Sequence, residues 1–190
     1  LYLNNSFEPF ANEKVRQALS YAVNRDEIIE MVADGKGVKV GSSMFPNFKK
    51  YFMPELSDTY SYDVEKAKSL LAEAGYADGF TFTITVPSNY PQHVDAAQII
   101  SEQLKKIGVT AEINQVEWNT WLSDTYGNRN YEATLVGVDA SYFAASAMLS
   151  RFVSDARNNF VNYNNPDYDA AYAAARSASS DEEQTEGYKK

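Results

Sequence analysis

No cysteine occurs among the 190 residues, which excludes disulfides, thiolate metal sites and a cysteine nucleophile. A single histidine, His93, excludes a multi-histidine metal centre. Basic residues are the minority: 17 Lys+Arg face 26 Asp+Glu, a net charge of −9, so the surface repels a phosphate backbone and nucleic acid is not an expected partner. No run approaches the roughly 18 apolar residues a membrane-spanning helix needs, and residues 1–10 have neither the basic head nor the apolar core of an export signal. Gly-x-Ser-x-Gly, a phosphate-cradling glycine loop and His-Glu-x-x-His are all missing. Glu182-Glu183 lies in a charged stretch that reads as a solvated face. A hydrolase built on a Tyr or Asp nucleophile would need a perturbed acid or base beside it, and no pair supplies one. The sequence therefore implies no enzyme, no metal and no cofactor.

What is present is an ordinary globular composition, 44% hydrophobic and 23% charged, with 14 Tyr and 10 Phe. Leu1-Tyr2-Leu3 reads as a strand. Asn12 has the chemistry of an N-cap, and Val15, Ala18, Leu19 and Ala22 then recur at helical spacing as one apolar stripe. A second helix is predicted over Arg25–Asp34, stopped by Gly35. Residues 35–60, with Gly37, Gly41, Pro46 and Pro54 among four aromatics, form an unusually long loop. Asp63 caps and Gly75 closes the next helix. Phe80–Val86 alternates apolar and polar with the period of a half-buried strand. A helix over Asp95–Ile107, closed by Gly108, leads to a second strand, Val109–Val116. Such a strand, helix, strand unit places its two strands side by side and parallel. Further predicted elements are a helix over Trp118–Tyr126, a strand over Ala133–Val138 and helices over Ala144–Val153, Tyr168–Ala178 and from Asp181 onward. The class is α/β, with a mixed, mostly parallel sheet flanked by helices, and no linker or internal repeat.

Six segments carry a resemblance. Phe10–Arg25 followed by Ile28-Ile29, then Asp63–Gly75, Gly79–Val86, Gln98–Gly108, Val116-Glu117-Trp118 and Asn158–Asp169 resemble, in order, motifs of the family 5 extracellular solute-binding proteins. The family contains the oligopeptide- and dipeptide-binding components of ABC importers. The resemblance implies a mature protein of two α/β lobes with ligand buried between them. The motif order matches the second lobe alone, so residues 1–190 are expected to be that lobe, truncated at both ends. Half of a ligand clamp should bind poorly by itself.

The resemblance also points to candidate ligand contacts. The tryptophan of the family's Glu-Trp turn touches bound peptide, which nominates Trp118; a core role is the alternative, and Trp121 reads as core. Ligands in open α/β sheets gather beyond the carboxyl ends of strands, which draws attention to Val136–Tyr142. Peptide-binding members have Gly-Trp-x-x-Asp-Tyr here, the aspartate anchoring the ligand amine. Counted from Gly137, that aspartate position is Ser141 and the tryptophan position is Val138. Asp139 stands two residues early, either as a substitute anchor or as a cap for the next helix. Tyr142 and Phe143 are candidate cleft walls or packing anchors. The Gly41–Tyr51 loop, with Met44, Phe45 and Pro46, either approaches the cleft or forms a surface flap. Arg16, inside the strongest motif, reads as structural, and His93, beside Pro91, as a solvated loop residue.

The implied function is capture of oligopeptides and delivery to an ABC permease by hinge closure. The protein would be a monomer in the periplasm or at the outer face of the cell membrane, tethered through a lipid anchor absent from this sequence. The departure from the aspartate pattern keeps open a non-peptide cargo such as a sugar or nickel chelate. A surface adhesion or signalling-peptide role is the further alternative, favoured if the 45–52 aromatics are exposed.

Overall fold

The computed structural model describes residues 1–139 and 144–190. The chain forms two compact units, one of residues 1–39 and 60–137, the other of residues 40–59 and 138–190.

The first unit begins with strand β1 (Tyr2–Leu3) and a short helix α1 (Glu8–Ala11), which buries Pro9 and Phe10. Helix α2 (Glu13–Ala22) starts where the sequence indicates: the Asn12 side chain accepts from the Lys14 N–H, satisfying a helix-end donor. Its buried residues are Val15, Ala18, Leu19 and Ala22. Arg16 donates to the carbonyls of Phe10 and Ala11 at 2.9 and 3.2 Å and so ties α2 back to the end of α1, a structural role. Helix α3 (Arg25–Ala33) ends on Asp34 and Gly35, both left-handed. Asp63 caps α4 (Val64–Glu73), which packs Ala67, Leu70 and Leu71 into the core.

Among the described residues the sheet has four strands in the order β1-β4-β2-β3. Strand β2 (Thr81–Pro87) is parallel both to β3 (Thr110–Val116) and to β4 (Ala133–Thr134), while β1 is antiparallel to β4. Helix α5 (Pro91–Lys105) makes the crossover between β2 and β3. The backbones of Gly79 and Gly108 cross closely: a Cβ on Gly79 would lie 1.8 Å from the Gly108 carbonyl oxygen, and both residues have positive φ. Phe82, Ile84 and Val86 of β2, Ala97, Ile100 and Leu104 of α5, and the buried stripes of α2 and α4 form one core.

Three expectations are corrected. Helix α5 starts at Pro91, not Asp95. Proline at the first helical position gives up no hydrogen bond and is already at helical φ, so the helix needs no polar cap at 95. Strand β4 ends at Thr134, not Val138. Leu135 N–H still donates to Thr85 O at 3.2 Å. The Leu135 carbonyl would next accept from residue 87, and Pro87 has no N–H to give. The segment read as a plain helix from Trp118 is a short α6 (Trp118–Thr120) continued by a π-helical turn over Trp121–Gly127.

The second unit contains a 3-10 turn (Pro54–Asp58) and helices α7 (Ala145–Ser150), α8 (Pro166–Ser177) and α9 (Asp181–Lys189). Tyr168 and Tyr172 of α8 donate to the Leu149 and Ser146 carbonyls of α7 at 2.8 and 3.1 Å. The 40–59 segment is part of this unit's packing. Tyr51 lies edge-on to Tyr188 of α9 at 5.5 Å, and Lys50 pairs with Asp181. Phe45, Phe48, Tyr51 and Phe52 are all half-buried, so the segment is not an exposed aromatic flap.

Candidate functional site

Strands β2, β3 and β4 run the same way, so their carboxyl ends fall on one side of the sheet. The residues that follow them meet there. Ser88 N–H donates to Val116 O at 2.8 Å, holding the exits of β2 and β3 together. From the β2 exit comes Tyr90, the residue before α5, and from the β3 exit comes Trp118, whose helix is capped by the Glu117 carboxylate accepting from Asn119 N–H at 3.2 Å. The two rings meet edge to face at 5.7 Å.

Behind Trp118 the rings are stacked. Trp118 lies on Trp121 at 5.2 Å with planes 10° apart, and Trp121 in turn lies on Tyr126 at 5.8 Å. The second stack joins residues five apart. An α-helix would turn position 126 well away from 121, whereas the wider π turn, bonded i to i+5, brings the two back onto one face. Trp121 is buried, 4% exposed, as its reading as core required. Its indole N–H donates to Thr134 Oγ1 at 2.9 Å, and the Thr134 hydroxyl donates to Thr85 O at 2.7 Å. This relay, inside the sheet, fixes the plane against which Trp118 rests. Trp118 itself is half-buried and Tyr90 is exposed.

Thr134→Val should test the relay. Valine keeps the shape but leaves the indole N–H without an acceptor, so a loss of about 1–3 kcal/mol in unfolding free energy is expected. Urea unfolding would read it; a loss below a few tenths would mean the hydroxyl contributes nothing to holding the indole.

His93 is not a solvated loop residue. It lies in the first turn of α5, half-buried, its ring 5.2 Å from Tyr90. On another side is the exit of β4: a Cβ on Gly137 would come within 3.2 Å of His93 Cε1 and 3.3 Å of Nε2. Glycine at 137 is what lets the imidazole lie against the backbone. Burial holds the His93 pKa below its ordinary 6.5.

Of the residues nominated from the sequence, Trp118 is at this edge. Asp139, exposed, and Phe45, half-buried, belong to the second unit. Asp139 does not cap the following helix, since α7 has Ala144 at its N-cap and no side-chain cap bond. Ser141 and Tyr142 lie outside the described residues. The sequence reading passed over Tyr90 and Tyr126 and read His93 as solvated. Pro91 as a helix start would have placed Tyr90 and His93; nothing in the sequence marks the π turn. Among the described residues no group of three His, Asp or Glu could hold a metal, and no helix is long and apolar enough to cross a membrane.

The family described as bacterial extracellular solute-binding proteins, family 5 Middle, matches residues 1–160. The chain belongs to this family. Heme-binding protein A of Haemophilus influenzae is 34% identical over 197 residues, covering 98% of this chain and 35% of the relative. The dipeptide-binding protein of Escherichia coli K12 is 40% identical over 126 residues, 64% of this chain and 23% of the relative. Among solved structures, AgaA of A. tumefaciens R10 in complex with agropinic acid superposes with a TM-score of 0.89 at 27% identity, over 99% of this chain and 39% of AgaA. The chain thus spans well under half the length of these family 5 relatives. The α/β architecture with a mostly parallel sheet is the one these binding proteins use.

Proposed function

We propose that this chain is the second ligand-binding lobe of the substrate-binding component of an ABC importer. The whole protein captures short peptides outside the bacterial cell membrane and passes them to its permease when the lobes close about a hinge. It acts as a monomer, free in the periplasm or held at the membrane by a lipid anchor, and performs no chemistry on its cargo. Trp118 provides a flat wall for the peptide. Asp139, Ser141, Tyr142 and Phe45 remain its proposed companions, with Asp139 the candidate anchor for the peptide amine. The observation that carries this reading is Trp118 itself: a half-buried indole backed by a buried stack at the carboxyl ends of parallel strands, where ligands of open α/β sheets collect. The E. coli relative, named for dipeptide binding, supports peptide as the cargo class.

A second reading, a non-peptide cargo, has one observation in its favour. The family's amine-anchoring aspartate is replaced by Ser141 in this sequence, and other family members are named for heme or solved with agropinic acid. The half-buried state of the 45–52 aromatics removes the condition on which a surface adhesion role rested.

Native mass spectrometry of the intact protein, before and after unfolding and refolding to strip ligand, separates these readings. A ladder of adducts with short-peptide masses that disappears on stripping is the expected result. A single non-peptide mass would replace peptide with that cargo, and no adduct combined with no thermal stabilisation by mixed peptides would reject the peptide reading.

A further inference from the structure

Among the described residues, His93 Nδ1 is the buried side-chain polar atom that has no hydrogen-bond partner. Leaving such a group unpaired costs about 1–3 kcal/mol, and folded proteins pair nearly all of them. Nearby polar atoms are paired: the Trp121 indole has Thr134, and the Thr134 hydroxyl has Thr85. The unpaired nitrogen is therefore confined to the one ring that lies between Tyr90 and Gly137 at the carboxyl edge of the sheet.

The ring is also held as an acceptor. A neutral imidazole carries one donor and one acceptor, whereas the cation carries two donors. Desolvation by burial disfavours the cation. The first turn of the 15-residue α5 adds the positive end of a helix dipole, which acts in the same sense. Among the described residues, the titratable group that faces the ring is Tyr90, from the turn before α5, while the β4 exit presents uncharged Gly137. Among the described residues no carboxylate contributes to the shift of the ring's pKa.

We propose that His93 is a ligand-recognition residue, whose neutral imidazole accepts a hydrogen bond at Nδ1 from an N–H of the bound peptide. This rests on the peptide-capture reading above. Tyr90, 39% exposed, lies beside the ring. Pairing exchanges an empty acceptor for a filled one, so it favours the neutral ring and lowers the His93 pKa further in the complex. Linkage then fixes the sign: affinity is full above the free-state His93 pKa and is lost as pH falls through it.

Because His93 is the only histidine in these residues, 15N-histidine NMR of the intact protein reports it directly, with His93→Phe identifying its signals. The probe is an equimolar mixture of alanine di- to pentapeptides. The expected result is a shift of the Nδ1 resonance on peptide addition, a lower titration midpoint in the complex, and a loss of affinity as pH falls from 7.5 to 5. His93→Asn, which keeps an acceptor near Nδ1 and does not titrate, should bind at pH 7.5 and show a flat pH profile. His93→Phe, equally flat but without an acceptor, should bind about tenfold more weakly at pH 7.5. Peptides that bind with unchanged affinity and pH profile in His93→Phe, or that leave the Nδ1 signal unmoved, would overturn the role of His93 while peptide capture stands. Absence of binding at every pH in the unsubstituted protein would bring down both.

Discussion

Trp121→Ala is expected to lower the unfolding free energy by about 3–5 kcal/mol and, separately, to weaken peptide capture about tenfold. The first loss follows from burial, since the indole is 4% exposed and its ring fills the space between Trp118 and Tyr126. Alanine leaves a cavity there and strands the Thr134 hydroxyl without the donor that meets it at 2.9 Å. The second loss follows from position. Trp118 is held at 10° to Trp121, and with that plate gone it has no reason to keep one orientation. Aromatic pairs contribute about 0.5–1.5 kcal/mol beyond the area they bury, close to one order of magnitude in affinity when only one orientation binds. Chemical denaturation followed by circular dichroism gives the first quantity, and calorimetric titration with the alanine peptides gives the second. Full affinity in a destabilised Trp121→Ala protein would mean that the orientation of Trp118 is irrelevant to capture.

Phe10→Ala provides the contrast: a loss of stability of similar size, again about 3–5 kcal/mol, with peptide affinity unchanged within about twofold. Phe10 is fully buried, tilted against Phe7 at 5.2 Å and edge-on to Phe80 and Phe82 at 5.9 and 5.0 Å. It is the side chain by which a four-residue helix, too short to persist on its own propensity, is fixed to the core. Neither Phe80 nor Phe82 belongs to the carboxyl end of β2, so the ring cluster at Tyr90 and Trp118 keeps its support. The same denaturation and titration experiments apply, at a temperature where the variant remains folded. A large affinity loss there would show that the two ends of β2 are coupled through the core.

The pair of variants separates what was legible in the sequence from what was not. Helix starts at Asn12 and Asp63 were legible because each side chain satisfies a backbone donor two or three residues away. The β2 strand was legible in the burial of Phe82, Ile84 and Val86 at period two. Its parallel pairing with β3 followed from the single helix between them. Trp121 as core was legible, but its partner Thr134 was not, because that bond joins the π turn to strand β4, a pairing set by tertiary packing. The early start of α5 was misread because Asp95 resembles a cap while Pro91, which gives no cap bond, does the work through its fixed φ. The π turn that stacks Tyr126 on Trp121 left no trace in apolar spacing, since its effect is a change of backbone period over seven residues.

By itself, then, the sequence determined the α/β class, the order of nearly all elements and the family. Those properties depend on composition, on local hydrogen bonds and on periodicity within one element. Only the tertiary structure decided that Tyr90, His93, Trp118 and Gly137 share one edge. The reason is physical: parallel strands end on the same side of a sheet, and which residues follow them into contact depends on hydrogen-bond register between segments about 30 and 50 residues apart in the chain.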